Sequence, residues 1–137
     1  MSNSQSQAQW DLPIMTLDIK KHRVRLYKQS LRLLGDPEYV QFLVNPDKQF
    51  FIVRRGSDKD VGVHKIYWTI INENHYCCEF YSKYFIEALQ SLFSAEDDNQ
   101  SYRIIGKYSK RHDFIVYNLK ESEPITYEQE AINSDAV

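Results

Sequence analysis

Val40-Gln41-Phe42-Leu43-Val44-Asn45-Pro46-Asp47-Lys48-Gln49-Phe50-Phe51-Ile52-Val53 reads as a β-hairpin. Val40, Phe42 and Val44 fall at every second position, the period of a strand with one face in the core. Asn45-Pro46-Asp47-Lys48 is a turn signal. Proline presets φ, while Asn and Asp can bond the backbone just beyond themselves. Phe50-Phe51-Ile52-Val53 supplies the return strand.

Upstream, Tyr27 to Gly35 is long enough for one or two helical turns. Leu31 and Leu34 share a face, Gly35 suits the C-cap and Pro37 follows it. Before that helix, Met15, Leu17 and Ile19, then Val24 and Leu26, alternate around Lys20-Lys21-His22-Arg23. This predicts one strand, or two short strands joined by a turn at the basic stretch.

Downstream of the hairpin, Gly56 to Asp60 is a loop and His64 to Ile71 is a β-rich run. Asn72-Glu73-Asn74 turns into a strand over Tyr76 to Phe80. Ser82 then opens the clearest helix, with Phe85, Ile86, Leu89, Leu92 and Phe93 on one stripe, ended by Ser94 to Asn99. Tyr102 to Tyr108 and Phe114 to Leu119 read as a second hairpin across Ser109 to Asp113.

Strand, helix and hairpin thus occur twice in the same order, which predicts an internal repeat. The expected fold class is α+β: two strand-helix-hairpin units, roughly residues 13–60 and 61–120, forming one pseudo-twofold domain. Residues 1–12, rich in Ser and Gln, are expected to be a disordered tail, and residues 121–137 an acidic C-terminal tail.

A chain of 137 residues is one domain's length and can bury a core without a metal or disulfide staple. Four Gly and four Pro exclude a collagen-like or linker composition. The adjacent Cys77 and Cys78 cannot form a disulfide framework, which fits a reducing compartment. Alternation sends one thiol into the core and leaves the other partly exposed. No apolar run reaches the ~18–20 residues of a membrane span, and the N-terminus lacks the marks of a signal peptide. The expectation is a cytoplasmic protein with no membrane contact.

The net charge of −2 hides an uneven distribution. Lys20, Lys21, Arg23, Arg25, Lys28 and Arg32 fall between Ile19 and Gly35 with no acid among them. Arg103, Lys107, Lys110 and Arg111 form a second basic cluster. Acid collects at Glu96-Asp97-Asp98 and at Glu121, Glu123, Glu128, Glu130 and Asp135. Basic clusters of this density are the footprint of phosphate binding, though a solvated strand face and loop account for the same charges. Alternation places Arg23 and Arg25 together on one exposed ridge, opposite Val24 and Leu26.

The segment from His22 to Gly35 resembles the opening of AbrB/MazE-type swapped-hairpin domains. Arg23, Val24, Leu26, Arg32, Leu34 and Gly35 match that family's spacing, and Val40 to Val53 would be its hairpin. His22 and Tyr27 stand where the family usually has Gly and Pro. The resemblance covers about a quarter of the chain and implies a transcription-factor-like DNA binder. The strand-helix-hairpin repeat is also similar in plan to the half-domains of DNA sliding clamps.

No catalytic constellation is legible. Ser82 reads as a helix cap, not a nucleophile, and no Gly-rich phosphate loop or nucleophile elbow occurs. His75, Cys77 and Cys78, with His64 or His112, lack the paired spacing of zinc ligands. The expectation is therefore no enzyme, no cofactor and no metal. Tyr27, Tyr81, Tyr102 and Tyr108 could stack bases or simply pack on the sheet. Trp68 is expected in the core or an interface, and Trp10 in the N-terminal tail as an anchor on the body.

The leading functional expectation is a DNA-binding regulatory or architectural protein. It would use Arg23, Arg25, Lys28, Arg32, Lys107, Lys110 and Arg111 on phosphates. The alternative is a protein-interaction module, antitoxin-like or an adaptor, whose acidic C-terminal segment holds a basic partner without nucleic acid. Either reading allows a homodimer.

Overall fold

The computed structural model describes residues 12–72, 77–90 and 101–125. These form two five-stranded antiparallel sheets that enclose one core. The first sheet contains β1 (Ile14–Asp18), β2 (Arg23–Tyr27), β6 (Cys77–Tyr81), β7 (Ser101–Ile105) and β10 (Glu123–Pro124), in the order β10-β7-β1-β2-β6. The second contains β3 (Tyr39–Asn45), β4 (Phe50–Arg55), β5 (Val63–Lys65), β8 (Lys107–Ser109) and β9 (Phe114–Asn118), in the order β5-β3-β4-β9-β8. Three short helices join them: α1 (Lys28–Leu33), α2 (Trp68–Ile70) and α3 (Lys83–Gln90).

Local signals build the elements much as the sequence predicts. The basic stretch turns β1 into β2, with His22 at φ 52° and Met15 opposite Leu26. Asn45 to Gln49 turns β3 into β4, pairing Val44 with Phe51. Gly35, at φ +80°, closes α1 in a Schellman motif: its N–H reaches the Arg32 carbonyl, and the Asp36 N–H reaches that of Leu31. Ser82 caps α3 by accepting the Phe85 N–H at 3.1 Å.

The core is the inner face of both sheets. Met15, Leu17, Val24, Leu26 and Ile104 of the first sheet meet Val40, Phe51, Val53, Ile115 and Tyr117 of the second. Leu31 and Leu34 contribute from the α1 end, while Ile86 and Leu89 contribute from α3. Phe42, Phe51, Phe80 and Phe85 form a ring cluster with centroids 4.9–5.3 Å apart. At roughly 1.5–3 kcal/mol for each large apolar side chain buried, this layer dominates folding.

The expected α+β fold of two strand-helix-hairpin units is overturned: the protein is mostly β. In the first half, β3 and β4 pair within one sheet. The supposed second hairpin divides instead. Ser101–Ile105 lies in the first sheet between β1 and β10, and only Lys107–Ser109 continues beside β9. Gly106 is the point of division. A Cβ there would lie 2.6 Å from Ile115 Cγ2 and 2.7 Å from Tyr117 Cε1, so only glycine lets the chain pass from sheet to sheet. The second half therefore does not repeat the first as a strand-helix-hairpin unit, since Ser101–Ile105 pairs in the first sheet and not with β9.

Two other expectations change in detail. Of the β-rich run His64 to Ile71, only His64 and Lys65 belong to a strand, β5, and Trp68–Ile70 makes a helical turn. The ladder reaches Ile66, whose N–H bonds the Glu38 carbonyl, and beyond it Trp68 Nε1 donates to the Pro37 carbonyl at 2.8 Å, a tertiary bond that holds the helical turn. The acidic segment after residue 120 begins inside the fold, because Glu123 and Pro124 pair with Arg103 and Tyr102. Residues 1–11 and 126–137, including Trp10 and the remaining tail acids, lie outside the described residues. So do Asn74, His75, Leu92, Phe93 and the Glu96-Asp97-Asp98 loop.

Candidate functional site

The two outer faces differ in chemistry. On the first sheet, pairing sets one row of side chains in register: Glu123, Arg103, Thr16, Arg25 and Glu79. Arg25 Nε donates to Glu79 Oε2 at 2.9 Å. Arg23 reaches Asp18 at 2.9 Å and Glu79 at 3.4 Å, and Arg103 lies 3.6 Å from Glu123. Each arginine of this face thus has a carboxylate beside it. Partial burial works to raise the Glu79 carboxyl, but hydrogen bonding and charge from Arg25, then Arg23, hold it below its ordinary 4.5.

Arg23 and Arg25 do share a face opposite Val24 and Leu26, as alternation predicts. Their charge is matched by Asp18 across the turn and by Glu79, whose strand is distant in sequence. Lys28 opens α1, and Arg32 is exposed in its last turn. Lys107 is exposed on β8 in the other sheet, while Lys110 and Arg111 are exposed in the turn between β8 and β9. The predicted site residues divide among the charge-matched outer face of the first sheet (Arg23, Arg25), α1 (Lys28, Arg32) and the β8–β9 hairpin of the second sheet (Lys107, Lys110, Arg111). They do not form one ridge.

The second sheet's outer face carries an apolar row. Leu43, Ile52 and Val116 stand in one register row across β3, β4 and β9, continued on β8 by Lys107. Phe50 lies to one side of that row, and Arg54 and Phe114 to the other. These apolar residues are half-buried, whereas their neighbours Phe51, Val53, Ile115 and Tyr117 are fully buried on the inner face. Neither α1 nor α3 covers them, since both helices commit their buried residues to the core between the sheets. At one end of the face is a shallow depression of about 110 Å³ lined by Phe50, Ile105, Lys107, Val116, Asn118 and Glu121.

Sequence reasoning missed this surface, although a signal for it was present. Strands β1 and β2 alternate apolar with polar. By contrast, Phe50-Phe51-Ile52-Val53 and Phe114-Ile115-Val116-Tyr117 are continuous apolar runs. Continuous runs belong to strands covered on both faces. Here one of those faces is only half-buried, and no described helix covers it.

Cys78, half-buried, packs against the core and desolvation pushes its thiol up to about 12; Cys77 is buried, and its thiol is raised. His64 sits between the Phe42 and Phe80 rings, at 4.7 and 5.0 Å, where desolvation lowers its pKa. His112 stacks on Phe114 with planes 9° apart. Tyr102 and Tyr108 pack against the core, and the Tyr108 hydroxyl donates to Asp113 at 3.0 Å. Tyr27 is half-buried and Tyr81 exposed. Among the described residues, no helix is long and apolar enough to cross a membrane. No family model, curated protein or solved structure matches this chain.

Proposed function

We propose that this chain is a protein-interaction module whose partner docks on the outer face of the second sheet. The observation that carries the reading is the register row Leu43–Ile52–Val116, flanked by Phe50 and Phe114, half-buried and covered by none of the described helices. Contiguous exposed apolar patches rimmed by polar groups are characteristic of interaction sites. The first sheet's outer face, where each arginine is paired with a carboxylate, is the self-satisfied face of the same molecule.

Site-specific photocrosslinking in cells expressing the chain tests this. A benzophenone side chain at position 52 should give discrete, protease-sensitive adducts. The same group at position 25 should give none. Adducts in equal yield from both positions, or none from position 52, would overturn the reading.

A second reading, DNA binding, is favoured by the β8–β9 hairpin, where exposed Lys107, Lys110 and Arg111 accompany the stacked His112 and Phe114. It predicts salt-sensitive affinity for duplex DNA. Replacing those three cations by Ala would flatten the log-log salt slope by about 2–3 units. Nuclease-sensitive crosslinks would favour it over the protein reading.

A further inference from the structure

We infer that the partner binds through an acidic segment with bulky apolar residues, one of which seats in the depression between Phe50, Ile105 and Val116. This rests on the reading of the second sheet's outer face as a docking surface, and names what fits it. The outward positions on the five strands of that sheet carry Arg54, Lys65 and Lys107, but no Asp or Glu. Among the described residues, none of these cations has a carboxylate at ion-pair distance: Arg54 Nε bonds the neutral Gln41 Oε1 at 2.9 Å, and Lys65 lies over the Tyr67 ring. The first sheet shows the opposite arrangement, with Asp18, Glu79 and Glu123 against Arg23, Arg25 and Arg103.

Charge left unmatched around an apolar row selects an occupant of opposite sign. A second copy of this chain, packed face to face, would set cation against cation, so the occupant is a different surface. The depression, about 110 Å³, is of the order of the ~150 Å³ apolar cavities that admit a benzene ring. Lys107 lines it and offers a donor to a carboxylate beside the seated side chain. Glu121, at its margin, accepts a hydrogen bond from Asn118 Nδ2 at 3.2 Å.

The test is an NMR titration of the full ¹⁵N-labelled chain with four probes. These are a dodecapeptide alternating Glu and Leu, its Lys-for-Glu and Ser-for-Leu counterparts, and a thymidine oligonucleotide of equal length. The Glu-Leu peptide should give saturable shifts confined to Leu43, Phe50, Ile52, Lys107 and Val116. The Lys-Leu and Glu-Ser peptides should give none. Arg54→Gln combined with Lys107→Gln, both exposed and free of structural ion pairs, should weaken binding about tenfold.

Equal binding of the Lys-Leu peptide, or no weakening in the double variant, would sink the acidic-partner inference. It would leave the docking surface standing. No shift from any peptide, with crosslinks from position 52 still present, would have the same consequence. Preferential binding of the oligonucleotide at these residues would overturn both the inference and the protein reading.

Discussion

The Tyr117 hydroxyl lies 3.1 Å from Ser30 Oγ, both groups fully buried, joining β9 to α1 across 87 residues of chain. Ser30 Oγ donates in turn to the Ile14 carbonyl at 3.4 Å, so the Tyr117 hydroxyl is the donor to Ser30. Two polar groups in an apolar interior are thereby satisfied by each other.

Removing one partner should cost more than removing both in succession would suggest. Ser30→Ala leaves a buried phenol without its acceptor and should lower stability by about 1–3 kcal/mol. Tyr117→Phe should cost about 1 kcal/mol. The double variant should fall short of the sum, as measured by urea denaturation of all four proteins. Strict additivity would show that the pair does not interact.

Burial pushes the Tyr117 phenol well above its ordinary 10.0. The folded state therefore keeps a proton that the unfolded chain releases above pH 10. Stability is fully present below that value and is lost as pH rises toward the folded-state pKa. The loss attributable to this residue should approach about 1.4 kcal/mol per pH unit in that window. Unfolding free energies for Tyr117→Phe should fall less steeply with pH above 10 than those of the wild type. Parallel slopes would show that the phenol titrates normally.

Gly106→Ala places a methyl group against Ile115 and Tyr117, neither of which can retreat from the core. The expected loss is about 2–3 kcal/mol from overpacking. Gly62→Ala makes the informative control: it meets nothing within 4 Å and carries only the strain of φ +69°, about 1 kcal/mol. Thermal melts should rank Gly106→Ala as the less stable of the two.

Glu79→Gln removes the carboxylate that faces Arg25 and Arg23. Both ends of the pair are partly exposed, so solvent screening limits the cost to about 0.5–1 kcal/mol at neutral pH. Because the carboxyl is held below its ordinary 4.5, its contribution is present above that pH and lost as pH falls through the folded-state value. The stability difference between wild type and variant should therefore shrink below pH 4.5. A gap that is constant from pH 7 to pH 3 would assign the effect to something other than charge.

Whatever is decided within a few residues was legible in the sequence. The alternation of Met15, Leu17, Val24 and Leu26, the turn at Asn45–Gln49, the Gly35 helix end and the Ser82 cap each depend on neighbours in the chain. Periodicity and turn chemistry express such preferences directly. The shared face of Arg23 and Arg25 was readable for the same reason. Their neutralisation was only half so, because Asp18 is near in sequence while Glu79 arrives through the pairing of β2 with β6.

Tertiary structure alone decided which strand lies beside which. Tyr102 to Tyr108 reads as one continuous strand, yet the segment serves two sheets, because β1 offers an open edge to its first half and β9 to its second. The choice turns on the space at Gly106 between Ile115 and Tyr117, contacts that no local pattern expresses. The candidate docking face has the same origin. Leu43, Ile52 and Val116 are far apart in the chain and become a surface only when β3, β4 and β9 align in register. Sequence carries the apolar side chains of that face; only the assembled sheets determine that they lie in one row and that no described helix covers it.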